Sequence, residues 1–138
     1  MSGAFVHVGV GAEQYAVAVE DVLEVAELGD LTAVPGAPRA LLGLINRHGQ
    51  VLAVVDLATV IGTTSDGSPS CLVVIDDGQR RAGLAVDRLL DVRPDLALTQ
   101  ATSSDMLSGA ALVDGSLIGL LEIRSVLDHV SYSDGAAR

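Results

Sequence analysis

Apolar residues in this chain come in short runs cut by glycine or acidic turns, a pattern that predicts strands more than helices. Residues 4–10 and 14–19 read as a hairpin across Gly11-Ala12-Glu13, with Tyr15, Val17 and Val19 alternating on one face. Residues 20–27 predict a short helix: Val22, Leu23, Val25 and Ala26 supply an apolar face, and acidic residues crowd its start, where the helix dipole favours them. Residues 31–34 read as a strand ended by Pro35. The cluster Pro35-Gly36-Ala37-Pro38 predicts an ordered bend, because each proline fixes its own φ and restricts the residue before it. A strand over 41–46, a turn at Arg47-His48-Gly49, a return strand over 50–56 and a helical turn over 57–61 follow. The polar stretch 63–70 reads as a connector. Beyond it, strands over 71–75 and 81–86 flank an Asp76-Asp77-Gly78 turn. Residues 95–109 read as a long loop carrying a helical turn, 112–122 as a hairpin about Asp114-Gly115, 124–130 as a last helix and 131–138 as a frayed tail.

Two of these patterns recur. GQVLAVVDLATVIG, starting at Gly49, returns as GSLIGLLEIRSVLD at an offset of 66 residues (115 minus 49). AVAVEDVLEV, starting at Ala16, returns as GLAVDRLLDV at an offset of 67 (83 minus 16), and Leu31-Thr32 then meets Leu98-Thr99. Two copies are too few for a solenoid. They predict one domain over 1–138 made of two related halves, 14–62 and 71–130, joined by the connector 63–70. Strands at short spacing without long intervening helices point to small antiparallel barrels rather than a parallel sheet. A half of roughly 65 residues is marginal alone, so the two should share a hydrophobic seam.

Composition narrows the function classes. Hydrophobic residues make up 49% but aromatics only 2%, so Val, Leu, Ile and Ala must fill the core, which suits strands. The formal net charge is −10, from 18 carboxylates against 8 basic residues, all of them Arg. Such a surface repels phosphate backbones and anionic lipid, so nucleic-acid and membrane-surface roles are disfavoured. Without Lys there is no Schiff-base chemistry and no P-loop lysine. The single cysteine, Cys71, opens an apolar strand and reads as a small buried hydrophobe, not half of a disulfide or a CxxC site. The N-terminus has no basic n-region and no apolar run approaches the ~18 residues of a spanning helix, so a cytoplasmic location without membrane insertion is expected.

The sequence offers an enzyme little. His7, His48 and His129 are scattered, no metal-ligand spacing or catalytic elbow occurs, and Gly9-Val10-Gly11 lacks a third glycine where a dinucleotide loop needs one. No catalytic, cofactor or metal residue is assigned. Asp56 and Glu122 occupy equivalent repeat positions before helical turns and read as N-caps. Gly43 and Gly49 read as structural, Gly49 because a tight hairpin turn favours positive φ, and Asn46 as a side chain that bonds backbone at that turn.

YAVAVEDVLEV, the proline-rich bend, GLINRHGQVLAVVDL and GQRRAGLAVDRLLDV together resemble the CheW family of bacterial chemotaxis coupling proteins, over residues 5–130. The resemblance implies a mainly β fold of two intertwined five-stranded SH3-like barrels with a few short helices. It implies a non-enzymatic adaptor, without cofactor, that couples chemoreceptors to a histidine autokinase. Such proteins bind the regulatory domain of a CheA-like kinase through one barrel and the chemoreceptor's cytoplasmic tip near the groove between barrels, which recruits them to membrane receptor arrays. The partner-binding residues it implies are Val22, Leu23 and Leu72 for buried area, with Glu24, Asn46, Arg47 and His48 around them.

One departure stands out. Between the Asn and Gly of the signature, family members usually carry a hydrophobic residue and then Arg, which is associated with a glutamate matching Glu24; this chain has Arg47 and then His48. An imidazole is charged only in part at neutral pH. Either Arg47 substitutes by a local shift, or partner binding differs in strength or specificity. Other uses of the same fold are a scaffold in another two-component pathway or a small-ligand sensory module, and the latter would need a closed apolar pocket. The sequence contains no receiver or kinase segment, which fits a free-standing coupler.

Overall fold

Eleven strands and two α-helices make up the computed structural model of the chain, which describes residues 4–65, 67–94, 96, 98–100 and 105–136. In order they are β1 Phe5–Val10, β2 Glu13–Ala18, β3 Val22–Glu27, β4 Leu41–Arg47, β5 Gln50–Asp56, α1 Leu57–Ile61, β6 Cys71–Asp76, β7 Arg81–Val86, β8 Arg88–Arg93, β9 Leu98–Gln100, β10 Leu107–Val113, β11 Ser116–Leu121 and α2 Ile123–Ala136. They form a six-stranded sheet, in the order β8-β1-β2-β11-β10-β9, and a five-stranded sheet, β3-β6-β7-β5-β4. The first is built from both ends of the chain and the second from its middle.

The internal repeat is a pseudo-twofold of this arrangement. Strands starting at 5 and 71, 22 and 88, 41 and 107, and 50 and 116 are equivalent, each pair separated by 66. Each half sends strands into both sheets, which is why the two are intertwined. Pairing is antiparallel apart from β5 with β7 and β11 with β2, and these two parallel joins are themselves equivalent. Even the bulges repeat, between Leu41 and Gly43 and between Leu107 and Gly109.

Burial explains the long apolar runs. Strand β6 is covered on both faces: Leu72 and Val74 point into a cluster with Leu52, Val54 and Ala85, while Val73 and Ile75 point into the core shared by the two sheets. A strand buried on both sides needs no polar alternation. The shared core joins Val8, Val10 and Val17 of the first sheet to Ile75, Leu84 and Val86 of the second, capped by Leu57 and Val60 of α1 and by Val126 and Leu127 of α2. Phe5, Ala16, Leu96, Ala111 and Ile118 form a separate cluster in the first sheet. Full burial of each Leu, Ile or Val contributes about 1.5–3 kcal/mol, so this aliphatic seam, rather than aromatic packing, holds the halves together.

Several elements differ from the sequence expectation. The helix expected over 20–27 is a 3-10 turn, Val19–Asp21, followed by β3. Strand pairing with the apolar β6 outweighs the weak helical pattern, and the β-branched Val22 and Val25 suit a pleat. Residues 31–34 supply only a single bridge, Thr32 to Leu44. Strand β8 adds a rung that the sequence pattern did not suggest. The loop expected over 95–109 contains β9 and the start of β10, and β9 makes the first sheet six-stranded rather than five; residues 95, 97 and 101–104 of that stretch lie outside the described residues. Helix α2 runs past Val130 to Ala136, where a frayed tail was expected, and residues 137 and 138 of that tail lie outside the described residues. Asp56 does sit at the N-cap of α1 but makes no side-chain bond to a backbone N–H; its Oδ2 accepts from Thr59 Oγ1 at 2.8 Å instead.

Candidate partner-binding site

The five-stranded sheet has two edges, β3 and β4, and the chain brings them back together. Beyond β3, Thr32 exchanges backbone hydrogen bonds with Leu44, each 2.9 Å. Gly43 permits that approach, since a Cβ there would sit 2.7 Å from the Thr32 carbonyl oxygen. At the other end of the seam, the Arg47 guanidinium of β4 donates to the Glu24 carboxylate of β3, and His48 Nε2 lies 3.3 Å from the other oxygen of that carboxylate. The sheet thereby curls into a barrel whose mouth carries an ionic clamp.

Local structure aims these side chains. His48 (φ 54) and Gly49 (φ 83) are both left-handed, the pair a type I′ hairpin turn requires. Asn46 Oδ1 accepts from the Gly49 N–H at 3.1 Å and fixes the turn. In β3, Val22 pairs with Ile75 and Glu24 with Val74, so Leu23 is the extra residue of a bulge. The bulge leaves Val22 half-buried against the shared core and turns Leu23, 52% exposed, and Glu24 toward the mouth.

The mouth is a depression of about 390 Å³ lined by Leu23, Glu24, Arg47, His48, Gln50, Leu52, Val74 and Arg81. Its floor is apolar, from the buried Leu52 and Val74, and its rim is polar. Arg81 donates from Nε to Asp76 at 2.9 Å and from Nη1 to Gln50 Oε1 at 2.6 Å. The Arg47 hydrogen bond holds the Glu24 carboxyl below its ordinary value, against partial desolvation, and His48 adds to the effect. Asp76 is lowered first by the Gly78 N–H and then by Arg81. The clamp is therefore ionic at neutral pH. Among the described residues no three His, Cys, Asp or Glu side chains group as metal ligands, and the mouth contains no nucleophile poised beside a base.

The structure gathers Leu23, Glu24, Arg47 and His48 at this mouth, with Asn46 and Gly49 shaping the turn beside it. It does not bring Leu72 there. That side chain is 1% exposed inside the barrel, because its strand is central and covered on both faces, so Leu72 supplies core rather than docking area. Val22 likewise faces inward. Gln50, Leu52, Val74 and Arg81 join the site unforeseen; Arg81 comes from a strand distant in sequence, and no local pattern marks it. Of the two readings of the Arg47-His48 departure, the geometry bears on the first: Arg47 itself takes the Glu24 contact, with His48 beside it.

The equivalent seam of the first sheet is joined by different side chains, with Arg93 Nη2 of β8 lying 4.0 Å from Asp114 Oδ2 of the turn. The equivalent hairpin of the first sheet has the same left-handed turn, at Asp114 (φ 51) and Gly115 (φ 81). At the positions of Glu24 and Arg47 it carries Leu90 and Val113. A ligand pocket of another kind is not evident in the apolar slot lined by Pro38, Ala40, Leu41, Ala53, Val55, His129 and Val130, whose free volume is about 10 Å³, whereas ligand pockets typically measure about 300–1,000 Å³. No helix among the described residues is long and apolar enough to cross a membrane.

Residues 4–131 match the family model described as a CheW-like domain. The chemotaxis protein CheW of Thermotoga maritima is 27% identical over 124 residues, covering 85% of this chain and 82% of that protein. The chemotaxis protein CheW of Rhizobium meliloti (strain 1021) is 30% identical over 128 residues, again covering 85% and 82%. Among solved structures, the scaffolding protein CheW of Thermoanaerobacter tengcongensis superposes with a TM-score of 0.79 at 24% identity, over 89% of this chain and 86% of that one. With a family match across nearly its whole length and a sheet arrangement to agree with it, the chain belongs to the CheW-like family of chemotaxis proteins.

Proposed function

We propose that the protein is a non-enzymatic adaptor of two-component chemotaxis signalling, coupling the cytoplasmic tips of chemoreceptors to the regulatory domain of a CheA-like histidine kinase at membrane receptor arrays. Its work is binding alone. The mouth of the second barrel is the surface that meets the kinase domain, with Leu23 supplying exposed apolar area and Glu24, Arg47 and His48 setting partner choice, since charge at an interface governs specificity and association rate more than affinity.

The observation that carries this reading is the asymmetry of the repeat. Two hairpins share a backbone, yet only the one at the second barrel's mouth bears the Glu24, Arg47 and His48 clamp. The other hairpin has Leu90 and Val113 at the positions of Glu24 and Arg47 and an Arg93–Asp114 pair instead, so the shared backbone does not dictate these side chains and the clamp is chemistry particular to this mouth. Calorimetric titration with the regulatory domain of a chemotaxis-type histidine kinase from the same genome tests the reading. Saturable one-to-one binding is expected; a folded protein that gives no binding heat at any ratio, at two temperatures, would overturn it.

A further inference from the structure

The barrel mouth gathers basic side chains in a chain that is acidic overall. With 18 carboxylates against 8 arginines overall, the walls of the depression hold Arg47, Arg81 and His48 beside Glu24, while Asp76, outside the lining, pairs with Arg81 at 2.9 Å. The clamp also leaves a donor unused. Arg47 Nη2 is engaged by Glu24, but Arg47 Nε is buried with no hydrogen-bond partner among the described residues. An unpaired buried N–H costs free energy until an acceptor reaches it, and a guanidinium selects carboxylate oxygens over neutral ones. Below these donors, Leu52 and Val74 form an apolar floor and Leu23 flanks it.

We infer that the depression receives a glutamate side chain presented by a loop of the docking partner. The methylenes of that residue lie against Leu52 and Val74, and its carboxylate engages Arg47 and Arg81. Glu24 then acts as a positioning residue, holding Arg47 across the seam so that its guanidinium lines the depression that receives the acid. The aliphatic floor favours glutamate over aspartate, whose shorter stem covers less of it. The inference rests on the adaptor reading and adds the chemistry of the partner's contact.

Butyrate, a truncated glutamate side chain, and butyramide, its uncharged isostere, provide the test. Each is titrated into the intact ¹⁵N-labelled protein, and the Nε–Hε signals of Arg47 and Arg81 are followed by NMR with the backbone amides of Leu52 and Val74. Butyrate should give saturable shifts at these four residues, with butyramide roughly tenfold weaker, and added salt should reduce the butyrate response. Arg47→Gln should abolish it. Arg81→Gln serves as a second variant should the first disturb the seam, and the overlay of remote amides reports folding. Equal responses to the two probes, no response to butyrate, or shifts that persist in both variants would overturn the inference. Kinase-domain binding, measured separately by calorimetry, can survive that result, so the two proposals fail independently.

Discussion

Val22 and Leu23 are adjacent, yet a bulge sends one inward and the other out. Val22→Asp places a charge against the shared core, so loss of partner binding in that variant would report unfolding as much as contact. Leu23→Asp is the cleaner probe. We expect its thermal midpoint to stay near that of the wild type while kinase-domain affinity, read by calorimetry, falls roughly tenfold or more, as for a hot-spot residue. Gly43 gives a complementary result. Gly43→Ala drives a methyl group into the Thr32 carbonyl and should cost about 1–3 kcal/mol in denaturant unfolding; a neutral outcome would mean that the Thr32 segment can move away without loss. At this scale the sequence was informative about the turn, where Asn46, Gly49 and their neighbours act locally, and about Glu24 and Arg47 through the family signature. It was misleading at Leu72, because a strand buried on both faces looks the same in sequence as an apolar docking edge.

Elements bounded by glycine turns were legible: β1 and β2, β4 and β5, β6 and β7, and β11 follow from alternation and turn chemistry, whereas of β10 only the end at Leu112 and Val113 fell within the expected hairpin. The stretch 20–27 was not, since four apolar residues and an acidic start suit a short helix as well as a strand, and only the partner β6 decides between them. The turn between β6 and β7 carries a pH prediction of its own. Asp77 Oδ1 accepts from the Gln79 and Arg80 N–H groups at 2.9 and 2.8 Å, and its Oδ2 takes the Arg80 guanidinium. These bonds, backbone first, lower its pKa to about 2. A carboxyl depressed in the folded state stabilises at pH values above its unfolded pKa of about 3.9 and loses that contribution as the pH falls through the folded value. Wild type should therefore exceed Asp77→Asn in thermal midpoint at neutral pH, with the gap closing between about pH 4 and pH 2. A gap that stays constant across that range would mean that the ionised carboxylate is not what stabilises the turn.

At the scale of the whole molecule, the repeat foretold two halves and a shared seam, but not which strands share a sheet. Equivalent strands lie 66 residues apart and fall in opposite sheets, so β1 and β2 pair with strands from the far end of the chain. Local patterning contains no record of such distant pairing. The exchange also gives the adaptor two related barrel ends with different chemistry. One has Glu24, Arg47 and His48; the other exposes Leu90, Val92, Leu112 and Leu117 around an Arg93–Asp114 pair. The proposed kinase contact lies at the end that carries Glu24, Arg47 and His48. The most direct test adds unlabelled kinase regulatory domain to the ¹⁵N-labelled adaptor and maps the backbone amide shifts. Shifts concentrated at Leu23, Glu24, Arg47, His48, Gln50 and Arg81 are expected; shifts confined to Leu90, Leu112 and Leu117, with the mouth around Glu24 silent, would place the kinase domain at the other end instead.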